Sequence, residues 1–185
     1  MRRLMFVAAA LTLALSACAS IDVTTDFDPE TDFARLRTFA WMEGSGGGAG
    51  DPRVSGDLMD QRFRRAIESE LVSKGMQKAT SGRPDVFVGY QVALDDQIDY
   101  QTISTSYGSG WGYRGVYGGG MVSSQTVARA YTVGTLVIDV FDAARRELVW
   151  RGAGEGRVDA ARNPQERQER INEAVTQILE DFPVR

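Results

Sequence analysis

Only two stretches of this chain repeat their apolar residues at helical spacing, and most of what lies between them alternates. Met59, Phe63, Ala66, Ile67 and Leu71 recur at three- and four-residue steps and predict a helix over Asp57–Lys74 with a single apolar stripe. Ser55 or Asp57 is suited to cap it, Gly75 to end it, and Arg62, Arg64, Arg65 and Glu68 fall on its solvent side. Ile171, Ala174, Val175, Ile178, Leu179 and Phe182 make the second stripe. Asn163-Pro164-Gln165-Glu166 ahead of it supplies an N-cap, a proline at the first helical position and an acid at N3, and Pro183 stops the helix. A helix with one apolar face must bury that face against another layer.

The alternating runs supply the other layer. Ile21–Phe27 reads as a strand, Asp28–Asp32 as a turn, Phe33–Leu36 as a helical turn and Arg37–Met42 as a second short strand. Gly44–Gly50 reads as a flexible loop. Asp85–Leu94 carries Val86, Val88, Tyr90, Val92 and Leu94 on one face and Phe87, Gly89, Gln91 and Ala93 on the other. Both faces are uncharged, so cover is expected on both at the start of this strand. Asp95–Thr105 continues extended but polar, Val122–Tyr131 is a returning strand, and Val133–Asp142 with Glu147–Val158 forms a hairpin. The expected class is α+β, a largely antiparallel sheet with the two amphipathic helices packed on one face, in one domain spanning residues 21–185.

The N-terminus is an address. Met1-Arg2-Arg3 is a basic start, and Leu4–Leu15 is an uncharged apolar run too short to span a bilayer. Leu15-Ser16-Ala17-Cys18 follows and resembles a bacterial lipobox, in which the cysteine thiol takes the thioether-linked lipid. The reading is a cleaved lipoprotein signal peptide over residues 1–17, then lipidated Cys18 with a short tether over residues 18–20. Ala19, where enterobacterial sorting uses Asp to retain lipoproteins in the inner membrane, implies the outer membrane by resemblance. The first strand starts so soon after the lipid that an extended tether reaches only about 10 Å, which holds the domain against its membrane on the periplasmic side.

Composition excludes several chemistries. The chain has no histidine and one cysteine. Ser-His-Asp and Cys-His nucleophiles, His-ligated zinc and an internal disulfide are therefore ruled out. Removing residues 1–17 takes away two arginines and no acid, which moves the formal net charge from −4 to −6. An acidic domain offers no electrostatic basis for binding nucleic acid.

Taken in order, several segments resemble one family. They are Asp26-Phe27-Asp28-Pro29, Thr38-Phe39-Ala40-Trp41, Leu71 to Met76, Pro84 to Val88, Gly134 to Asp139, Leu148 to Gly152 and Phe182-Pro183. Their order is similar to that of bacterial envelope lipoproteins carrying the domain of unknown function 4136. The resemblance implies a periplasm-facing lipoprotein and carries over no catalytic residue.

Three sets of residues are candidate sites. Asp26, Asp28, Glu30 and Asp32 alternate like the first half of a calcium loop, but Thr31 and Arg37 stand where that loop needs Gly and Glu. Turn and capping roles are the alternative, and no metal or cofactor is assigned. Asp95, Asp96 and Asp99 could pair with Glu155 or Asp159 as acid and base, or form a solvated rim. Tyr107, Trp111, Tyr113 and Tyr117 stand among Gly108, Gly110, Gly112 and Gly115 and make the most distinctive candidate binding loop. Trp41 and Trp150 lie in alternating strands and are expected in the core. The expected function is a non-enzymatic interaction or structural module of the envelope, membrane-held through Cys18, with a protein partner. The alternatives are a glycan- or small-ligand-binding lipoprotein and a carboxylate-dependent hydrolase.

Overall fold

The computed structural model describes residues 21–47, 50–106, 122–158 and 163–184. Six strands form one sheet: β1 (Asp22–Phe27), β2 (Thr38–Trp41), β3 (Gln77–Lys78), β4 (Val86–Ser106), β5 (Val122–Asp142) and β6 (Leu148–Arg157). Their spatial order is β1-β6-β5-β4-β2-β3. The helices are α1 (Asp57–Ser73) and α2 (Pro164–Leu179), and a 3-10 turn spans Phe33–Arg35.

The class is α+β, but the sheet is mixed rather than largely antiparallel. β1, β6, β5 and β4 pair antiparallel, whereas β2 runs parallel to both β4 and β3. The cause is α1, which lies between β2 and β3. A helical crossover returns the chain to the end where it started, so the strands on either side run the same way. Asp85 fastens this junction. Its Oδ2 accepts from Arg37 N at 3.0 Å, Thr38 N at 2.8 Å and Thr38 Oγ1 at 2.8 Å. The start of β4 is thereby tied to the start of β2.

Both helices lie on the same side of the sheet. Register aligns Trp41, Val88, Val140 and Trp150 on that side, with Tyr90, Ile138 and Gly152 in the next row. Ile67, Leu71, Val175, Ile178 and Leu179, all 0% exposed, close the core over them. Ile178 packs where β6 has no side chain: a Cβ added at Gly152 or Gly154 would fall 2.7 Å from it. Trp150 is buried as expected, with its ring 5.0 Å from that of Phe182.

The helix caps divide. Asn163 Oδ1 accepts from Glu166 N at 2.8 Å, with Pro164 following, as the sequence requires. At α1 neither Ser55 nor Asp57 caps. Gly56, with φ of 104°, holds that place without a side-chain bond, because this backbone conformation favours glycine. Cover on both faces of β4 is also only partial. On the face away from the helices Gly89 is buried beneath Met42 and Ser45, whereas Gln91 and Ala93 are exposed.

Candidate functional site

β4 and β5 are each 21 residues long and pair without interruption from Val86 opposite Asp142 to Ser106 opposite Val122. The four expected pieces, Asp85–Leu94, Asp95–Thr105, Val122–Tyr131 and Val133–Asp142, are therefore two continuous strands. β6 accompanies β5 only as far as Arg157 opposite Val133, and β2 accompanies β4 only at Val86–Val88. From Asp95 of β4 and Thr132 of β5 outward, no other described strand pairs with either one. The result is a two-stranded ribbon extending about 40 Å at 3.3–3.4 Å per residue.

The base of the ribbon is fixed by polar contacts. Asp96 Oδ1 accepts from Arg53 at 2.9 Å and from Thr132 Oγ1 at 2.7 Å. These bonds hold its carboxyl below the usual range. Tyr131 donates to Gln97 Oε1 at 2.7 Å, and the Arg157 guanidinium stacks 4.0 Å over the Tyr131 ring. Farther out the two faces differ. One carries Ile98 opposite Ala130, Tyr100 opposite Ala128 and Thr102 opposite Thr126, with no charge. This face continues the core side of the sheet beyond the helices. Ile98 is 57% exposed and Tyr100 67%. The other face carries Gln97 opposite Tyr131, Asp99 opposite Arg129 and Gln101 opposite Val127.

The remaining candidates sort as follows. Tyr107, Trp111, Tyr113 and Tyr117 lie outside the described residues, as do Cys18 and Asp159. The last described residues flanking the aromatic segment, Ser106 and Val122, are paired at the end of the ribbon remote from the sheet. Asp95 and Glu155 stand two strands apart and one same-face step out of line, a separation of about 12 Å from strand spacings. Both are exposed. Asp28 is engaged in its own turn, accepting from Glu30 N at 3.0 Å and Thr31 Oγ1 at 2.7 Å. Those bonds lower its pKa. Asp32 pairs with Arg35 at 2.8 Å.

Arg64 and Glu68 are not simply on the wet side of α1. Arg64 stacks 4.5 Å over Trp41, bonds Asp60 Oδ2 at 2.7 Å and donates to Ser45 O at 2.6 Å. Trp41 Nε1 donates to Glu68 Oε1 at 2.6 Å, and Lys78 donates to the same oxygen. Burial alone would raise the Glu68 pKa, and these bonds outweigh it and lower it. Tyr90 donates to Asp60 Oδ1 at 2.7 Å; burial first, then that bond, pushes its hydroxyl pKa up. The i, i+4 spacing of 60, 64 and 68 was the available signal: a polar stripe beside the apolar one, aimed at Trp41. Every member has a partner, so the network staples α1 to the sheet.

The profile of a domain of unknown function, DUF4136, matches residues 23–184. The chain belongs to this family. No curated protein matches it. Among solved structures this DUF4136 chain is similar to a PDZ domain protein from Parabacteroides distasonis ATCC 8503, with TM-score 0.53 and 12% identity, covering 87% of this chain and 35% of that one. It thus spans about a third of that protein, and the likeness concerns the fold. A PelC dodecamer from Paraburkholderia phytofirmans aligns at TM-score 0.47 and 11% identity, over 90% of this chain and 99% of that one. Among the described residues of the DUF4136 chain, no helix is long and apolar enough to cross a membrane.

Proposed function

We propose that this chain is an outer-membrane-anchored, periplasm-facing lipoprotein that acts as a non-enzymatic interaction module, with the β4–β5 ribbon as its contact arm. The ribbon carries this reading. An isolated two-stranded ribbon is marginal in water, and this one holds Ile98 and Tyr100 in the open on an uncharged face. Exposed apolar area on an element with little support of its own marks a surface that a partner covers. Leu15-Ser16-Ala17-Cys18 supports the anchor, because a triacylated cysteine holds a membrane where one acyl chain would not.

The test is made in cells of a Gram-negative host producing the full chain. Palmitate label is expected on the chain and absent from Cys18→Ala, which moves to the soluble fraction. A photo-crosslinking residue at Ile98 is expected to give a covalent adduct. A Cys18→Ala chain still in the membrane fraction would remove the anchor, and absence of any adduct would remove the arm.

A further inference from the structure

We infer that the arm's partner is a second copy of this chain, joined edge to edge so that β5 of one ribbon pairs antiparallel with β4 of the next. The inference rests on the arm reading above and names its occupant. Three observations carry it.

The first is the backbone. Beyond the short sheet, the outer edge of β4 from Asp95 and that of β5 up to Tyr131 have no ladder partner among the described residues. Each edge is a row of N–H and C=O groups ready to pair with another strand, at about one hydrogen bond per paired residue.

The second is charge. On the ribbon Asp95, Asp96 and Asp99 are all on β4, while Arg129 is on β5, with Arg157 of β6 at its base. Joining β4 to a second β4 sets acids against acids. Joining β5 to the next β4 gives an alternating row, Asp99, Arg129, Asp99, Arg129, across successive copies. Like charges directly opposite one another disfavour the first arrangement, and opposite charges favour the second.

The third is size. On the uncharged face the large side chains, Ile98 and Tyr100, are both on β4, and the small ones opposite them, Ala130 and Ala128, are both on β5. β5-to-β4 joining repeats large beside small across every boundary. β4-to-β4 joining sets large side chains against large ones, and β5-to-β5 joining sets alanine against alanine. The two strands thus complement each other and not themselves. That is a heterologous interface, which closes into a ring or extends as a fibre.

Full-length chain in detergent, sized by native mass spectrometry or sedimentation, tests this. The wild type is expected to associate. Arg129→Glu makes both strands acidic, and Asp95→Arg with Asp99→Arg makes both basic. Each is expected to dissociate at least about tenfold more readily, with unchanged far-ultraviolet circular dichroism. An equimolar mixture of the two variants restores opposite charges at every boundary and is expected to reassemble. In cells, the adduct at Ile98 is expected at twice the chain mass. A wild type that stays monomeric, or a mixture that fails to reassemble, overturns the inference. So does an adduct only of another mass, which leaves the interaction arm standing, whereas no adduct at all removes the arm itself. If the charge variants lose their circular dichroism, Tyr100→Ala serves instead: it removes the large partner of the size argument and must weaken association.

Discussion

A methyl group added at Gly154 tests how α2 is seated. Gly154 lies on the helix-facing side of β6, between Val23 of β1 and Leu136 of β5. Its Cβ would fall 2.7 Å from both Cδ1 and Cγ1 of Ile178 and 3.2 Å from Cγ2 of Ile21. Carbon atoms settle at about 3.5–4.0 Å, so the overlap is roughly 1 Å. Ile178 is 0% exposed and has no solvent to turn into. The backbone offers no objection, because Gly154 is not among the residues with positive φ. Alanine in a strand gains about 0.5–1 kcal/mol over glycine. Overpacking costs about 1–3 kcal/mol. Gly154→Ala should therefore destabilise by about 1–2 kcal/mol. Ile178→Ala alone opens a cavity at the same spot and should cost about 2–5 kcal/mol. In the double variant the new methyl occupies part of that cavity, so the loss should fall short of the sum of the singles by at least about 1 kcal/mol. Urea denaturation followed by tryptophan fluorescence measures all three, since Trp150 is buried in the same core. A neutral or stabilised Gly154→Ala, or additivity within about 0.5 kcal/mol, would refute this account of the helix seat.

Two further outcomes follow from polar groups. Burial alone would raise the Asp85 pKa, but the bonds from Thr38 and Arg37 outweigh it and lower it. Its stabilisation is therefore full above the unfolded pKa of about 3.9 and is lost as pH falls through the lower folded value. Asp85→Asn should cost about 1–2 kcal/mol at neutral pH by weakening charge-assisted bonds. Its gap from wild type in denaturation midpoint should narrow below about pH 4, and a gap that widened there would contradict the assignment. On the open face Arg151 grips Asp139 at 2.6 and 2.8 Å, and Asp139 is only 7% exposed. Arg151→Ala should destabilise by about 1–3 kcal/mol because it strands that carboxylate, and adding Asp139→Asn should recover part of the loss. Equal stability of the single and double variants in thermal melts would show that the pair is not coupled.

Much of the secondary structure was readable because its signals are local. The two stripes place α1 to within a residue of Asp57–Ser73 and the start of α2 at Pro164. But α2 ends at Leu179, three residues before the Phe182 that its stripe included, and Phe182 is buried from the turn that follows. The β5–β6 hairpin follows from two alternating runs and a turn. What escaped depends on neighbours distant in sequence. The polar stripe Asp60, Arg64 and Glu68 gains its role only when β2 brings Trp41 beneath α1. The glycines at 152 and 154 did leave a trace, because alternate glycines in a strand mark one face that something approaches closely. They could not say that Ile178 was what approached. Of the site, the sequence marked the polar extended pieces that flank the aromatic segment, but not that they pair over their full length.

By itself the sequence determined the two helices, most of the strand-forming runs though not the two-residue β3, the α+β class and the chemistries that a histidine-free chain excludes, since periodicity and composition need no partner. Tertiary structure alone decided the order β1-β6-β5-β4-β2-β3, the parallel run of β2 and the projecting ribbon. Strand pairing is a choice among edges. Which edges meet depends on where α1 returns the chain and where β6 stops beside β5, and neither is written in any single segment.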